Sequence, residues 1–155
     1  MAPHEPTDDR LRQILTEVRT IAIVGYSHRP DRPSHRVSQY LVAQGYRVLP
    51  INPGHAGETA LGERVFASLA SIPPEIGPIH MVDIFRRSEH AGAVVDEALA
   101  TLLPRGLRVI WMQIGVIDHD AAARAEGLGL TVLMNRCPKI EHARLLAPSA
   151  PPDPA

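Results

Sequence analysis

The chain has 155 residues, 45% of them apolar and 21% charged, which suits one globular domain with a full core. Sixteen Lys and Arg oppose seventeen Asp and Glu, for a formal net charge of −1. That balance argues against a general nucleic-acid or anionic-membrane binder, and the single cysteine, Cys137, excludes an internal disulfide or a cysteine metal cluster.

Residues 1–6 read as a flexible lead without the apolar core of a signal peptide. Residues 7–146 read as the domain. Thr7 or Asp8 caps a first helix with Leu11, Ile14, Leu15 and Val18 on one face. The apolar run 21–24 is a strand buried on both faces, closed by Gly25. A second helix starts at Pro33 or Ser34, turns Val37, Tyr40, Leu41 and Val42 inward, and stops at Gly45. Residues 47–51 form a second strand, ended by Asn52-Pro53-Gly54. A short helical turn is expected around 68–70 and a third strand over 79–84. Ser88 then caps a helix carrying Ala91, Val94, Val95, Ala98 and Leu102 inward. A fourth strand (108–113), a helix (119–126, stopped by Gly127), a fifth strand (130–133) and a last short helix opened by Pro138 complete the domain. Residues 147–155, APSAPPDPA, read as a disordered tail.

Strands alternating with helices imply right-handed β-α-β units in a doubly wound parallel five-stranded sheet, a three-layer α/β/α Rossmann-like fold. The simplest strand order is 3-2-1-4-5, which places a ligand outside the carboxyl ends of strands one and four. With no apolar run approaching a membrane span, the expected compartment is the cytoplasm, and a homodimer is the default assembly.

The strand ends carry the chemistry. After the first strand, Gly25 permits a sharp turn, and Pro33 and Ser34 open a helix whose free backbone donors suit a phosphate. Arg29, Arg32 and Arg36 surround that loop. A solvated polar loop is the plainer reading. Asn52 stands where a nicotinamide-dinucleotide site carries an acidic residue, and G-x-G-x-x-G is absent. Both departures oppose an NAD(P)-dependent oxidoreductase. Arg86 and Arg87 at a helix start are unfavourable to its dipole, which suggests pairing with an anion, although both side chains can simply extend into water. Phe85 stacks on a base or fills the core edge. Trp111 reads as packing. Gln113 and the backbone at Gly115 can hydrogen-bond an amide or a base. Asp83 has a function at its strand end, caps a turn or pairs with an arginine. Cys137, Lys139 and His142 lie close in sequence without an orienting third group, so no catalytic residue is assigned. The eight histidines are scattered, so no metal site is expected.

Six blocks in order then carry a resemblance: IAIVGYS…RPS at 21–34, GYRVLPINP at 45–53, LGERVFASLASIP at 61–73, VDIFRR at 82–87, WMQIGV at 111–116 and NRCPKIEHARL at 135–145. The chain resembles, over about residues 8–145, the small stand-alone CoA-binding-domain proteins, similar in fold to the CoA-binding domain of the succinyl-CoA synthetase α subunit. The resemblance implies that coenzyme A or an acyl-CoA binds in the switch-point crevice, with no catalysis of the chain's own. By position it implies that Gly25, Ser27, Arg32, Pro33 and Ser34 form the first phosphate loop and that Asn52 and Pro53 lie along the ligand. Val82, Phe85 and Arg86 line the third strand end, and Gln113 and Gly115 the fourth. The synthetases' phosphorylated histidine lies in another domain, so the ligase reaction is not implied. The alternatives are the oxidoreductase and an interaction protein for which CoA is a signal.

Overall fold

The computed structural model describes residues 5–146. The expected disordered tail (147–155) and the first four residues of the expected flexible lead lie outside them. The main sheet comprises β1 (Thr20–Val24), β2 (Arg47–Ile51), β5 (Met81–Ile84), β6 (Val109–Met112) and β7 (Thr131–Leu133), all parallel. A two-residue hairpin, β3 (Thr59–Ala60) with β4 (Glu63–Arg64), lies between β2 and β5. The helices are α1 (Asp8–Glu17), α2 (Pro33–Ala43), α3 (Ser88–Thr101), α4 (His119–Gly127) and α5 (Pro138–Leu145).

Side chains alternate across the sheet and build two cores. Ile21, Ile23, Met81, Val109, Trp111 and Leu133 pack with α1 and α2 on one face. Ala22, Val24, Val82, Ile84, Ile110 and Met112 pack with α3 and α4 on the other. All five residues of β1 are buried, as its unbroken apolar run requires. Trp111 is fully buried, and its indole N–H donates to the Arg136 carbonyl at 3.0 Å.

The strand order is β2-β1-β5-β6-β7, so by strand count it is 2-1-3-4-5 and not the expected 3-2-1-4-5. The connection between β2 and β5 decides this. It contains no α-helix, only 3-10 turns at Pro53–His55, Leu69–Ser71 and Pro74–Ile76 and the hairpin. Its apolar residues Phe66, Leu69 and Ile72 pack on the α3/α4 face, opposite α2. A right-handed crossover on that face carries the chain back past β1, so β5 pairs with β1. The sheet reverses direction between β1 and β5, and the ligand crevice of a doubly wound fold moves there.

Two local expectations change. Arg87, not Ser88, is the N-cap of α3 and makes no side-chain cap bond. The Ser88 hydroxyl instead accepts from the Ile117 N–H at 2.9 Å and donates to the Gly115 carbonyl. Val42 is 38% exposed, because the inward stripe of α2 runs through Ser34, Val37, Ser38 and Leu41.

Candidate functional site

β1 and β5 end side by side, and their exits nearly touch. Gly25 has φ +92°, and a Cβ there would lie 2.4 Å from the Phe85 carbonyl oxygen. Only glycine lets the two loops pass this closely. The loops after β1 and β2 are joined as well: the Asn52 amide donates to the Tyr26 carbonyl at 2.8 Å, and its oxygen accepts from the Gly54 N–H. Within the β1 loop, the Ser27 N–H donates to Ser34 Oγ at 3.0 Å.

Two cavities meet at this junction and share Pro33, Phe85 and Arg86. One, of about 430 Å³, is lined by Gly25, Ser27, Arg29, Arg32, Ser34, Asn52 and Pro53. The other, of about 670 Å³, continues past Arg36, Arg87, Gln113 and Gly115 to Cys137, Lys139 and Ile140. Each has the size of a small-molecule site. A third, of about 590 Å³, adjoins the second through Ile114, Cys137 and Ile140 and is mostly apolar, with Ile117, Val132 and Met134 on its wall.

The charge of the groove is positive despite the neutral chain. Arg29 faces Asp31 at 3.5 Å, and Arg87 faces Glu89 at 3.7 Å. Arg32 and Arg86 have no ion-pair partner among the described residues. The helix starts reinforce the pattern. α1 and α4 are capped by the side chains of Thr7 and Asp118. α2, α3 and α5 start at Arg32, Arg87 and Cys137 without a side-chain cap, and all three of these residues line the groove. Uncapped N-termini present backbone donors and the positive end of a dipole. Three of them, with two guanidinium groups that have no ion-pair partner among the described residues, give the groove a positive face.

Most residues singled out in the sequence come together here: Gly25, Ser27, Arg32, Pro33, Ser34, Asn52, Pro53, Phe85 and Arg86 line the first cavity, with Gln113 and Gly115 farther along. Val82 does not join them. It is fully buried, its side chain packs in the α3/α4 core, and it lines none of these cavities. Ser34 and Asn52 use their polar atoms to hold the loops. Tyr26, Ile114 and Ile140 line the groove as well, without a role from the sequence. Cys137 and Lys139, singled out in the sequence after the fifth strand, line it beside them, and the exposed apolar side chain of Ile140 is the signal in that stretch that points to a ligand face.

Asp83 is fully buried in β5, and burial pushes its carboxyl well above the usual carboxylate range. No arginine reaches it. Gln113 does, its amide in the orientation that donates to both carboxyl oxygens at 3.1 and 3.3 Å. His142 does not serve Cys137: its Nδ1 is 2.8 Å from the Tyr40 hydroxyl, and burial lowers its pKa. His28, His55 and Glu58, separated in sequence, stand together beside the first cavity.

No helix among the described residues is long and apolar enough to cross a membrane. A family model described as a CoA binding domain matches residues 19–143. The protein YneT of Bacillus subtilis is 39% identical over 138 residues, which covers 89% of this chain and 96% of that protein. A crystal structure of Prb, a PH1109 protein redesigned for binding, is 35% identical with a TM-score of 0.85, covering 97% of this chain and 99% of that one. The structure of cell-free ID.343 from Thermus thermophilus is 34% identical with a TM-score of 0.79, covering 91% and 100%.

Proposed function

This chain belongs to the CoA-binding domain family, and on that premise we propose that it binds coenzyme A or an acyl-CoA in the groove between the carboxyl ends of β1 and β5, without chemistry of its own. The observation that carries this reading is the convergence of three uncapped helix starts and the unpaired Arg32 and Arg86 on one groove. CoA brings a pyrophosphate and a 3′-phosphate, and such donors suit them. Ser27, Arg32 and the start of α2 hold phosphate in this reading, with Gly25 and Pro33 shaping the turn and Asn52 and Pro53 bordering it. Phe85 offers an apolar surface to the adenine. The thiol arm follows Gln113 and Gly115, and an acyl chain has the apolar cavity of Ile114, Ile117 and Ile140. The bound group supplies a thiol that carries acyl groups. The protein supplies binding and orientation.

A dinucleotide fits less well. Only Gly25 of a glycine fingerprint is present, and the Asn52 amide at the end of β2 is occupied by backbone partners. Titration calorimetry tests the proposal. CoA gives saturable heat, and Arg32→Ala and Arg86→Ala each weaken binding about tenfold, the lower end for a charge-assisted hydrogen bond because both side chains are exposed. No heat with CoA or acetyl-CoA at near-millimolar protein overturns it. NAD(P)H raising the melting temperature while CoA does not would turn the assignment to a dinucleotide.

A further inference from the structure

His28 lies in the loop after β1. His55 ends the 3-10 turn Pro53–His55 after β2, and Glu58 follows three residues later. Their ligand atoms all lie within 4.8 Å of one another. His55 Nδ1 is 2.9 Å from one Glu58 carboxylate oxygen. His28 Nε2 is 3.4 Å from the other, but not aligned as a hydrogen bond. The two imidazoles face each other with centroids 4.1 Å apart and planes tilted by 31°.

Both ring nitrogens of His28 are shielded from solvent, and neither has a hydrogen-bond partner among the described residues. Buried polar atoms are nearly always satisfied, so such a pair calls for an explanation. The loops around it are braced. Asn52 ties the β1 and β2 exits, the Glu58 N–H donates to the His55 carbonyl, and the Val65 N–H donates to the Glu58 carbonyl at 2.8 Å. The three side chains therefore rise from held backbone, while His55 and Glu58 stay solvent-accessible enough to turn.

Two imidazole nitrogens and one carboxylate oxygen are the donor set of a three-ligand zinc site that keeps one position open. Magnesium and calcium prefer oxygen alone. We propose that His28, His55 and Glu58 form a binding site for a divalent transition-metal ion of the zinc type, with its fourth position open to solvent. A metal there engages one of the two His28 nitrogens that lack a hydrogen-bond partner and separates the tilted rings. It sits beside the anion cavity, because Ser27 and Arg29, the chain neighbours of His28, line that cavity. The site stands whether or not CoA binds in the groove.

The test uses tag-free, full-length protein stripped with a chelator, with no CoA present. Zn²⁺ is titrated against a chromophoric competitor, and Co²⁺ is added separately to read its visible absorption. Wild type and Cys137→Ser bind one equivalent in the micromolar range or tighter. His28→Gln, His55→Gln and Glu58→Gln each weaken binding at least about tenfold and lose the Co²⁺ bands. Metal-free melting temperatures stay at the wild-type value, which separates lost ligation from lost folding. Glu58, the most exposed of the three, gives the variant whose folding is least at issue. Absence of one-to-one binding by wild type, wild-type affinity in either histidine variant, or loss of binding in Cys137→Ser overturns the proposal.

Discussion

Asp83 holds a carboxyl with no exposed surface in the middle of the sheet, where the Gln113 amide donates to it. Its folded pKa is raised above the unfolded value of about 3.9. The folded protein therefore keeps a proton that the unfolded chain releases. The stability from this group is fully present below about pH 4 and is lost as pH rises toward the folded pKa, by up to about 1.4 kcal/mol per pH unit. Asp83→Asn removes that loss. Urea unfolding shows the variant matching wild type near about pH 4 and exceeding it near about pH 7. Gly25→Ala acts in the opposite sense: φ +92° and the Phe85 carbonyl leave no room for a methyl group. The same assay shows a loss of about 2 kcal/mol or more, from left-handed strain plus the clash. Sequence reading located Asp83, Asn52 and Ser34 but not what their side chains do. Their partners lie 30, 26 and 7 residues away, and only folding brings them within reach.

At the scale of elements, periodicity was a reliable guide where a helix had a clear apolar face. Thr7 caps α1 as expected, and Ala91, Val95 and Ala98 of α3 are buried with Leu102 at its end. It failed at Val42 and at the start of α3, where neighbouring elements decide which rim faces water. In the proposed reading, caps separate structural helix starts from those that face the ligand. Asp118 bonds the Ala121 N–H at 2.9 Å, so Asp118→Ala costs about 1 kcal/mol by chemical unfolding and leaves CoA affinity unchanged. The uncapped start of α2 behaves the other way. A negative charge introduced there by Ser34→Asp weakens CoA binding, measured by calorimetry, since it takes the place of the phosphate.

At the scale of the molecule, a chain with net charge −1 still concentrates Arg29, Arg32, Arg36, Arg86 and Arg87 along one groove. CoA at about one hundred times its dissociation constant stabilises the fold by about 2.7 kcal/mol, a rise of several degrees in the thermal midpoint. Higher ionic strength weakens the binding, because the charges are exposed and screened; salt-independent affinity would remove the arginines from the account. The sequence by itself determined the alternating α/β order, the parallel sheet, the five strands of that sheet to within two residues, though not the β3–β4 hairpin, and the arginines and glycine at the strand ends. Those are local signals of periodicity, turn chemistry and charge. The tertiary structure alone decided the strand order, because the β2–β5 connection has no helix and its route depends on which face buries Phe66, Leu69 and Ile72. It alone withdrew Val82 into the core and joined His28 to His55 and Glu58. Contacts across a sheet or between two loops follow from the packed chain and leave no mark of fixed spacing.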